Sequence, residues 1–531
     1  MDRSIMRRLL ALAAFLCFSA CSGAGVSPIA TTRSTAAGAP NAASAQSLSP
    51  FDSANGSFIG ASGTANIYVP GPDSAYDAAQ PFYHCSTNFY VSTSGRDSNS
   101  GTNPSTPWLT IAHAAAQPLG AGSCINISPG TYRQSSTVII DHGGNAASPN
   151  GYEAWRCTSM PFSFSGGQFR GEGSGCVISA NTAVSALFQV GAPYVIFDGI
   201  EADGNRWNAQ RGFTFYAPPP PAPGPHHLWV LNSDVHHFGE AGFSLNSRDW
   251  IFVLHDVWHD NAVCSANATT STCPKIAGDY GSGLTIGFPD TLGGYVPTAA
   301  DQQFCASAPF SACYHIVIAS NVAYHNYNFQ GGSLTNTDGN GIIFDTWSGH
   351  PYAGAGLIMS NVVYDNGGNG IEVNGIPATS QVAIVNNTAF DDAWDTRRSA
   401  NDRGEISVQK ASNNVTTLNN IAYAVGSSGI LASNSPFVSI GALGIGDSWI
   451  ANLSYPCCRN HLQAGYSYPT TGANRNSDGV NPKFRFVTPG ATVNDFGLQA
   501  GSPALGFVHA FSLRNQAGTV DAGACQLGYC P

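Results

Sequence analysis

Short runs of alternating apolar and polar residues recur along this chain, each entered through a glycine-rich polar turn. Three are especially plain. In TNTDGNGIIFD (Thr335 to Asp345), Ile342 and Phe344 fall on one face, and Ile343 and Asp345 on the other. In YDNGGNGIEVNG (Tyr364 to Gly375), Ile371 and Val373 oppose Glu372 and Asn374. In NDRGEISVQK (Asn401 to Lys410), Ile406 and Val408 oppose Glu405, Ser407 and Gln409. A period of two predicts strands. Stacking the three copies puts Asp345, Glu372 and Glu405 on one outer surface.

A second pattern spaces these strands. An Asn or Asp, then an apolar residue, then a ring recurs from Asp234, Asp256, Asn321, Asn361, Asn387, Asn420 and Asn452. The intervals are 22, 65, 40, 26, 33 and 32 residues. The shorter ones approach one solenoid coil, and the longer ones carry insertions. In register, the series makes an amide ladder at a turn beside a column of stacked rings. This reading places His237 and His259 in the ring column and treats His236 and His255 as their structural neighbours. Gaps from ladder residue to the next strand's glycine enlarge at residues 262–282, 327–340 and 391–403. Three insertions at one corner predict a wall beside the acidic face, where function usually sits on a rigid scaffold.

Composition agrees with a strand-and-turn architecture. There are 60 Gly and 32 Pro among 531 residues, 43% of which are hydrophobic. Charged residues make up 10%, the net charge is −11, and lysines number three. That balance argues against a nucleic-acid partner.

The N-terminus reads as an export signal. Arg3, Arg7 and Arg8 precede the apolar run Leu9–Phe18, which is too short for a permanent membrane span. Phe18-Ser19-Ala20-Cys21 resembles a bacterial lipobox, so Cys21 is the expected lipidation site, with ordinary secretion as the alternative. Residues 22–80 form an Ala/Ser/Gly-rich tether. Excluding Cys17 and Cys21 from the 14 cysteines leaves twelve, as suits disulfides in an oxidising compartment. Close spacing suggests Cys157–Cys176, Cys264–Cys273, Cys305–Cys313 and Cys525–Cys530, leaving Cys85, Cys124, Cys457 and Cys458 open. No cysteine or Cys/His spacing matches a zinc motif, and no metal ligand set is assigned. The expectation is an outer-membrane lipoprotein, otherwise a periplasmic or secreted protein, acting as a monomer.

Four stretches carry a family resemblance. They are FYVSTSGRDSNSGTNPSTPWLTIAHAA (Phe89 to Ala115), CINISPGTYRQSSTVII (Cys124 to Ile140), NPKFRFVTPG (Asn481 to Gly490) and DFGLQAGSPALG (Asp495 to Gly506). Together they resemble the opening and closing segments of the pectate-lyase-like superfamily. The resemblance implies an all-β fold over residues 81–531: a single-stranded right-handed parallel β-helix, or β-solenoid, with loop insertions and disulfides. It implies a carbohydrate-active protein, but the superfamily holds lyases, hydrolases, epimerases and binding proteins, so the fold does not choose the reaction.

The acidic face supplies the leading chemistry. Asp345 and Glu372 are offset by one coil and one same-face step, which puts their Cβ atoms roughly 8 Å apart. Carboxylates about 6.5–9.5 Å apart suit an inverting glycoside hydrolase. The expectation is a polysaccharide-cleaving hydrolase in which Asp345 and Glu372 are acid and base, and Asp338 and Glu405 position substrate or tune them. Trp347 and Trp394 border the expected cleft and are offered as rings for sugars to stack on, with local packing as the alternative. No cofactor is required, although Asp391, Asp392 and Asp395 in DDAWD offer oxygen ligands for calcium. Glu405 and Lys410 also resemble the Glu…Lys spacing of β-helix alginate lyases, where the acid helps bind calcium and the lysine is the base. With Arg403, they carry the lyase alternative. A non-catalytic carbohydrate-binding or surface protein is the third.

Overall fold

The computed structural model describes the pair Ser57–Ile59 and Asn66–Tyr68. It then describes residues 83–145, 150–159, 175–216, 224–246, 248–262, 281–287, 289, 314–327, 338–349, 352, 354–395, 402–409, 412–425, 435–441, 444–456, 460, 462, 475–484, 496–505, 507 and 523. From Thr87 onward the strands form three sheets of 11, 11 and 9 strands. Successive strands visit the sheets in turn, so each strand pairs in parallel with its counterpart one coil away. This is a parallel β-helix, and parallel crossovers of this kind are almost always right-handed.

Alternation fills the interior. On the third sheet Ile342, Ile371 and Ile406 form one inward row and Phe344, Val373 and Val408 the next. All six are 0–1% exposed. Because parallel coils expose backbone groups only at their turns, the turns need side-chain partners. The amide ladder supplies them. Asn361 donates its backbone N–H and Nδ2 to Asn387 Oδ1, both at 2.9 Å. Asn387 donates in the same way to Asn420, and Asn420 to Asn452. The series runs from Ser233 through Asp256 and Asn321 to Asn476.

The register corrects one assignment. Strand pairing sets Asp234 against Val257 and His236 against His259. Ser233, whose N–H donates to Asp256 Oδ1 at 2.7 Å, holds the ladder position, and Asp234 does not. His236, not His237, therefore enters the ring column, stacking 4.8 Å from His259. The column continues through Tyr324 and Tyr364. Between Tyr364 and Phe390, Phe496 from the C-terminal segment packs against both. Phe484 joins it against Tyr423, so part of the closing segment caps the second sheet.

At the other end, the short helix Ile111–Ala115 is capped by Thr110, whose side chain accepts from His113 N. Cys157–Cys176 forms as expected, and Cys85 pairs with Cys124. The other expected disulfide cysteines, Cys21, and the segments given as signal and most of the tether lie outside the described residues. Among the described residues, no helix is long and apolar enough to cross a membrane.

Candidate functional site

The enlarged turns all join a second-sheet strand to the following third-sheet strand. They span Val257–His259 to Leu284–Gly287, Val322–Tyr324 to Ile342–Asp345, and Thr388–Phe390 to Gly404–Gln409. Most of these insertions lie outside the described residues. What remains is an acidic corner containing Asp338, Asp365, Asp391, Asp392 and Asp395, bordering the outer face of the third sheet.

On that face the register sets Ile343 beside Glu372 and Ser407, and Asp345 beside Asn374 and Gln409. Asp345 is thus one coil and one same-face step from Glu372. Glu405, two residues before Ser407, has the same offset on the other side. Exposure separates the three. Asp345 is partly exposed, with Oδ1 accepting from the Thr346 hydroxyl at 2.8 Å. Glu372 is 3% exposed and Glu405 0%. The expectation of one open acidic surface is therefore corrected: the turn backbone folds over two of its three acids.

The cover consists of hydrogen bonds. Glu372 Oε2 accepts from Asn369 Nδ2 at 2.9 Å. Asn369 donates its N–H to Asn340 Oδ1 at 2.7 Å and accepts from Gly404 N at 2.9 Å. Glu405 Oε2 accepts from Asp392 N at 3.1 Å. Asp392 Oδ1 accepts from Asn366 N and Nδ2 at 2.9 and 2.8 Å. A second amide ladder, Asn261–Asn326–Asn366–Asp392, thus ends on a carboxylate. A Cβ at Gly370 would collide with Asp392 Oδ2 and the Glu405 carbonyl, so a residue without a side chain stands there. Burial and the negative charge of Asp392 push Glu405 well above the usual carboxylate range. Asp392 is pushed up in turn, chiefly by burial. Two adjoining buried carboxyls then share fewer than two charges.

The second ladder was legible but missed. Asn261, Asn326, Asn366 and Asp392 each lie five residues after a member of the first ladder. Asp392, offered with Asp391 and Asp395 as a calcium ligand, is fully buried. Asp338, 8% exposed, and Asp395, 4% exposed, are also enclosed by the corner.

Trp347 is corrected as well. It is fully buried, stacks on Phe344 at 4.9 Å, and donates Nε1 to the Ile286 carbonyl, so it belongs to the core and offers no ring to a sugar. Trp394 is half-buried at the corner, with Nε1 donating to the Asp365 carbonyl and its ring 4.5 Å from Tyr327. Arg403 is 6% exposed and stands two residues before Glu405. Lys410, immediately after the strand, lies outside the described residues.

Calcium needs several oxygen atoms converging on one point. Among the described residues, three or more His, Cys, Asp or Glu donors converge only at Asp203–His236–His237 and Asp234–His236–His259. Asp391, Asp392 and Asp395 are not among them.

No family model matches the chain. It is 25% identical over 339 residues to Pectate lyase L of Paenibacillus polymyxa (strain SC2), a match covering 60% of this chain and 66% of that protein. Among solved structures, the pectate lyase Pel9A is similar with a TM-score of 0.47 at 15% identity, over 84% of this chain and 97% of that one. A rhamnogalacturonan lyase is similar with a TM-score of 0.42 at 13% identity, over 75% and 90% respectively.

Proposed function

We propose that the protein cleaves an acidic polysaccharide by β-elimination. The polysaccharide class rests on the similarity to Pectate lyase L. The choice of elimination rests on the burial of Glu372 and Glu405. Hydrolysis by paired carboxylates needs two acids reaching the scissile bond from the same open side. Of the three on this face, only Asp345 has an appreciably exposed side chain.

Elimination asks for less. One base removes the proton from the carbon beside the uronate carboxylate. The bond from the neighbouring carbon to the departing oxygen breaks, a carbon–carbon double bond forms, and the departing oxygen takes up a proton. Lys410 is the proposed base, on its resemblance to the alginate-lyase lysine. A lysine performs this role with its ammonium pKa lowered toward neutrality. Asp345, on the outer face of the third sheet, is the proposed substrate-positioning acid.

Hydrolysis is the second reading, favoured by the diagonal offset of Asp345 and Glu372 alone. Incubation with polygalacturonate, alginate and a neutral glucan, each with and without a calcium chelator, separates the readings. Products with the ultraviolet absorbance of an unsaturated uronate support elimination. New reducing ends without that absorbance establish hydrolysis instead. Binding without products makes the protein a carbohydrate-binding module. The proposed place of action is outside the cytoplasm, with Cys21 as lipid anchor.

A further inference from the structure

Two to four coils before the residues of the acidic corner, two adjacent histidines at the end of a second-sheet strand bring their ring nitrogens together. Asp203 ends the strand Glu201–Asp203, and its register partner His236 ends Asp234–His236. His237 follows directly, with Nδ1 2.6 Å from His236 Nδ1. One oxygen, Asp203 Oδ1, lies 3.6 Å from the first nitrogen and 3.7 Å from the second. A triangle with those sides has a circumscribed radius of about 1.95 Å, so one point about 0.8 Å off its plane lies about 2.1 Å from all three atoms, the distance zinc makes to imidazole and carboxylate, and binding would spread the two nitrogens from 2.6 Å toward the roughly 3.4 Å of a tetrahedral site.

The surroundings orient the three donors. Glu201 Oε1 lies 3.4 Å from His236 Nε2, placing a carboxylate on the ring nitrogen that faces away from the triangle. Such a partner fixes the tautomer of a metal-binding histidine. Asp203 Oδ2 accepts from the Ser179 hydroxyl at 2.9 Å, and Oδ1 accepts from Asn205 N at 2.7 Å. His237 is 37% exposed, so one side of the triangle is open to water. Its left-handed backbone, φ 61°, is shared by Asp260, His325 and Asp365 at the same turn. The fold imposes that conformation, and the choice of histidine there is what carries information.

His259 is not part of this triangle. Its Nε2 lies 3.0 Å from Asp234 and its Nδ1 2.8 Å from Asp260, while its ring is stacked between His236 and Tyr324. The competing account of the 2.6 Å contact is a proton shared between two neutral imidazoles. Asp203 can also pair with a protonated imidazole, but one proton bridges only two of the three atoms, whereas a dication engages both nitrogens and the carboxylate oxygen together.

We propose that Asp203, His236 and His237 bind one divalent transition-metal ion, with water completing its coordination. Two imidazoles and a carboxylate suit zinc and its neighbours in the first transition row, and calcium or magnesium far less. Such an ion ties two adjacent coils together and stabilises the folded chain in proportion to its occupancy.

The test uses the full-length, untagged protein after chelator treatment. Calorimetric titration with Zn2+ is expected to show one saturable site per chain, and Co2+ to give visible absorption at the same stoichiometry. Zn2+ should raise Tm. H237A and D203N should each weaken Zn2+ binding at least tenfold and remove the Tm rise, whereas H325A should change neither. If H237A does not fold, H237N replaces it, since asparagine tolerates a left-handed backbone. Absence of saturable Zn2+ and Co2+ binding overturns the proposal. So does a Zn2+ affinity unchanged in both the His237 and the Asp203 variants.

Discussion

Glu405 Oε2 accepts the backbone N–H of Asp392 at 3.1 Å, joining a strand residue to the end of an amide ladder with neither side chain exposed. Both carboxyls titrate above their usual values. The folded chain therefore holds more protons than the unfolded chain between the unfolded and the raised folded pKa values. The pair carries no penalty below the unfolded carboxyl pKa of about 4. Above it, stability falls as pH rises toward the raised folded values. Glu405→Gln keeps an acceptor for the Asp392 N–H and removes the titration. It should match the wild type near pH 4 and exceed it at pH 8 in urea midpoint. A midpoint difference that stays constant over that range would exclude the shared proton.

The first ladder predicts a different cost. Asn387 is fully buried, donates to the Ile358 carbonyl and Asn420 Oδ1, and accepts from Asn361. Asn387→Ala strands three groups on the preceding coil, the Ile358 carbonyl and the Asn361 N–H and Nδ2, each costing about 1–3 kcal/mol. A total loss of roughly 3–5 kcal/mol follows. Exposed Asn103→Ala provides a comparison on the same chain, since its side chain bonds locally to the Ser105 N–H and hydroxyl. Equal losses for the two variants, measured by equilibrium unfolding, would contradict the ladder's role.

Much of this was written in the sequence, for physical reasons that differ by residue. Inward rows such as Ile342–Ile371–Ile406 follow from alternation alone, because a strand has only two faces. The ladder asparagines were legible because every coil needs the same amide at the same turn. Ser233 broke that pattern while the neighbouring Asp234 imitated it, which shifted one coil by a residue and put His237 where His236 belongs. Exposure of the acids was not legible. Alternation says which face a residue takes, but whether a turn then covers that face depends on contacts between Asn369 and Glu372, or Asp392 and Glu405. The nitrogen triangle at Asp203 lay further still from the sequence, since Asp203 and His236 are 33 residues apart and meet only through the register.

Trp347 separates core from cleft. Buried between Phe344 and Tyr352, it is expected to cost about 3–5 kcal/mol when changed to Ala. Trp347→Phe should recover most of that loss. On whichever polysaccharide is cleaved, KM for the folded Trp347→Phe variant should stay within about twofold of the wild type, because Phe keeps a ring in the same buried site. A KM increase of about tenfold or more, about 1.4 kcal/mol, without loss of stability would return Trp347 to the substrate.

The reaction itself turns on two residues that the readings use differently. If elimination is correct, Lys410→Ala removes the base and should lower kcat by about 10²–10⁴-fold. Asp345→Asn should then act mainly through KM, because a positioning group contributes to binding more than to proton transfer. If hydrolysis is correct, the order inverts: Asp345→Asn and Glu372→Gln each lose about 10²-fold or more in kcat, and Lys410→Ala changes little. Lys410→Arg sharpens the comparison. It keeps the positive charge but holds its proton at every working pH, so it preserves substrate attraction while abolishing base catalysis. Loss of activity in Lys410→Arg with KM retained identifies lysine as the base, and full activity in that variant removes it from the reaction.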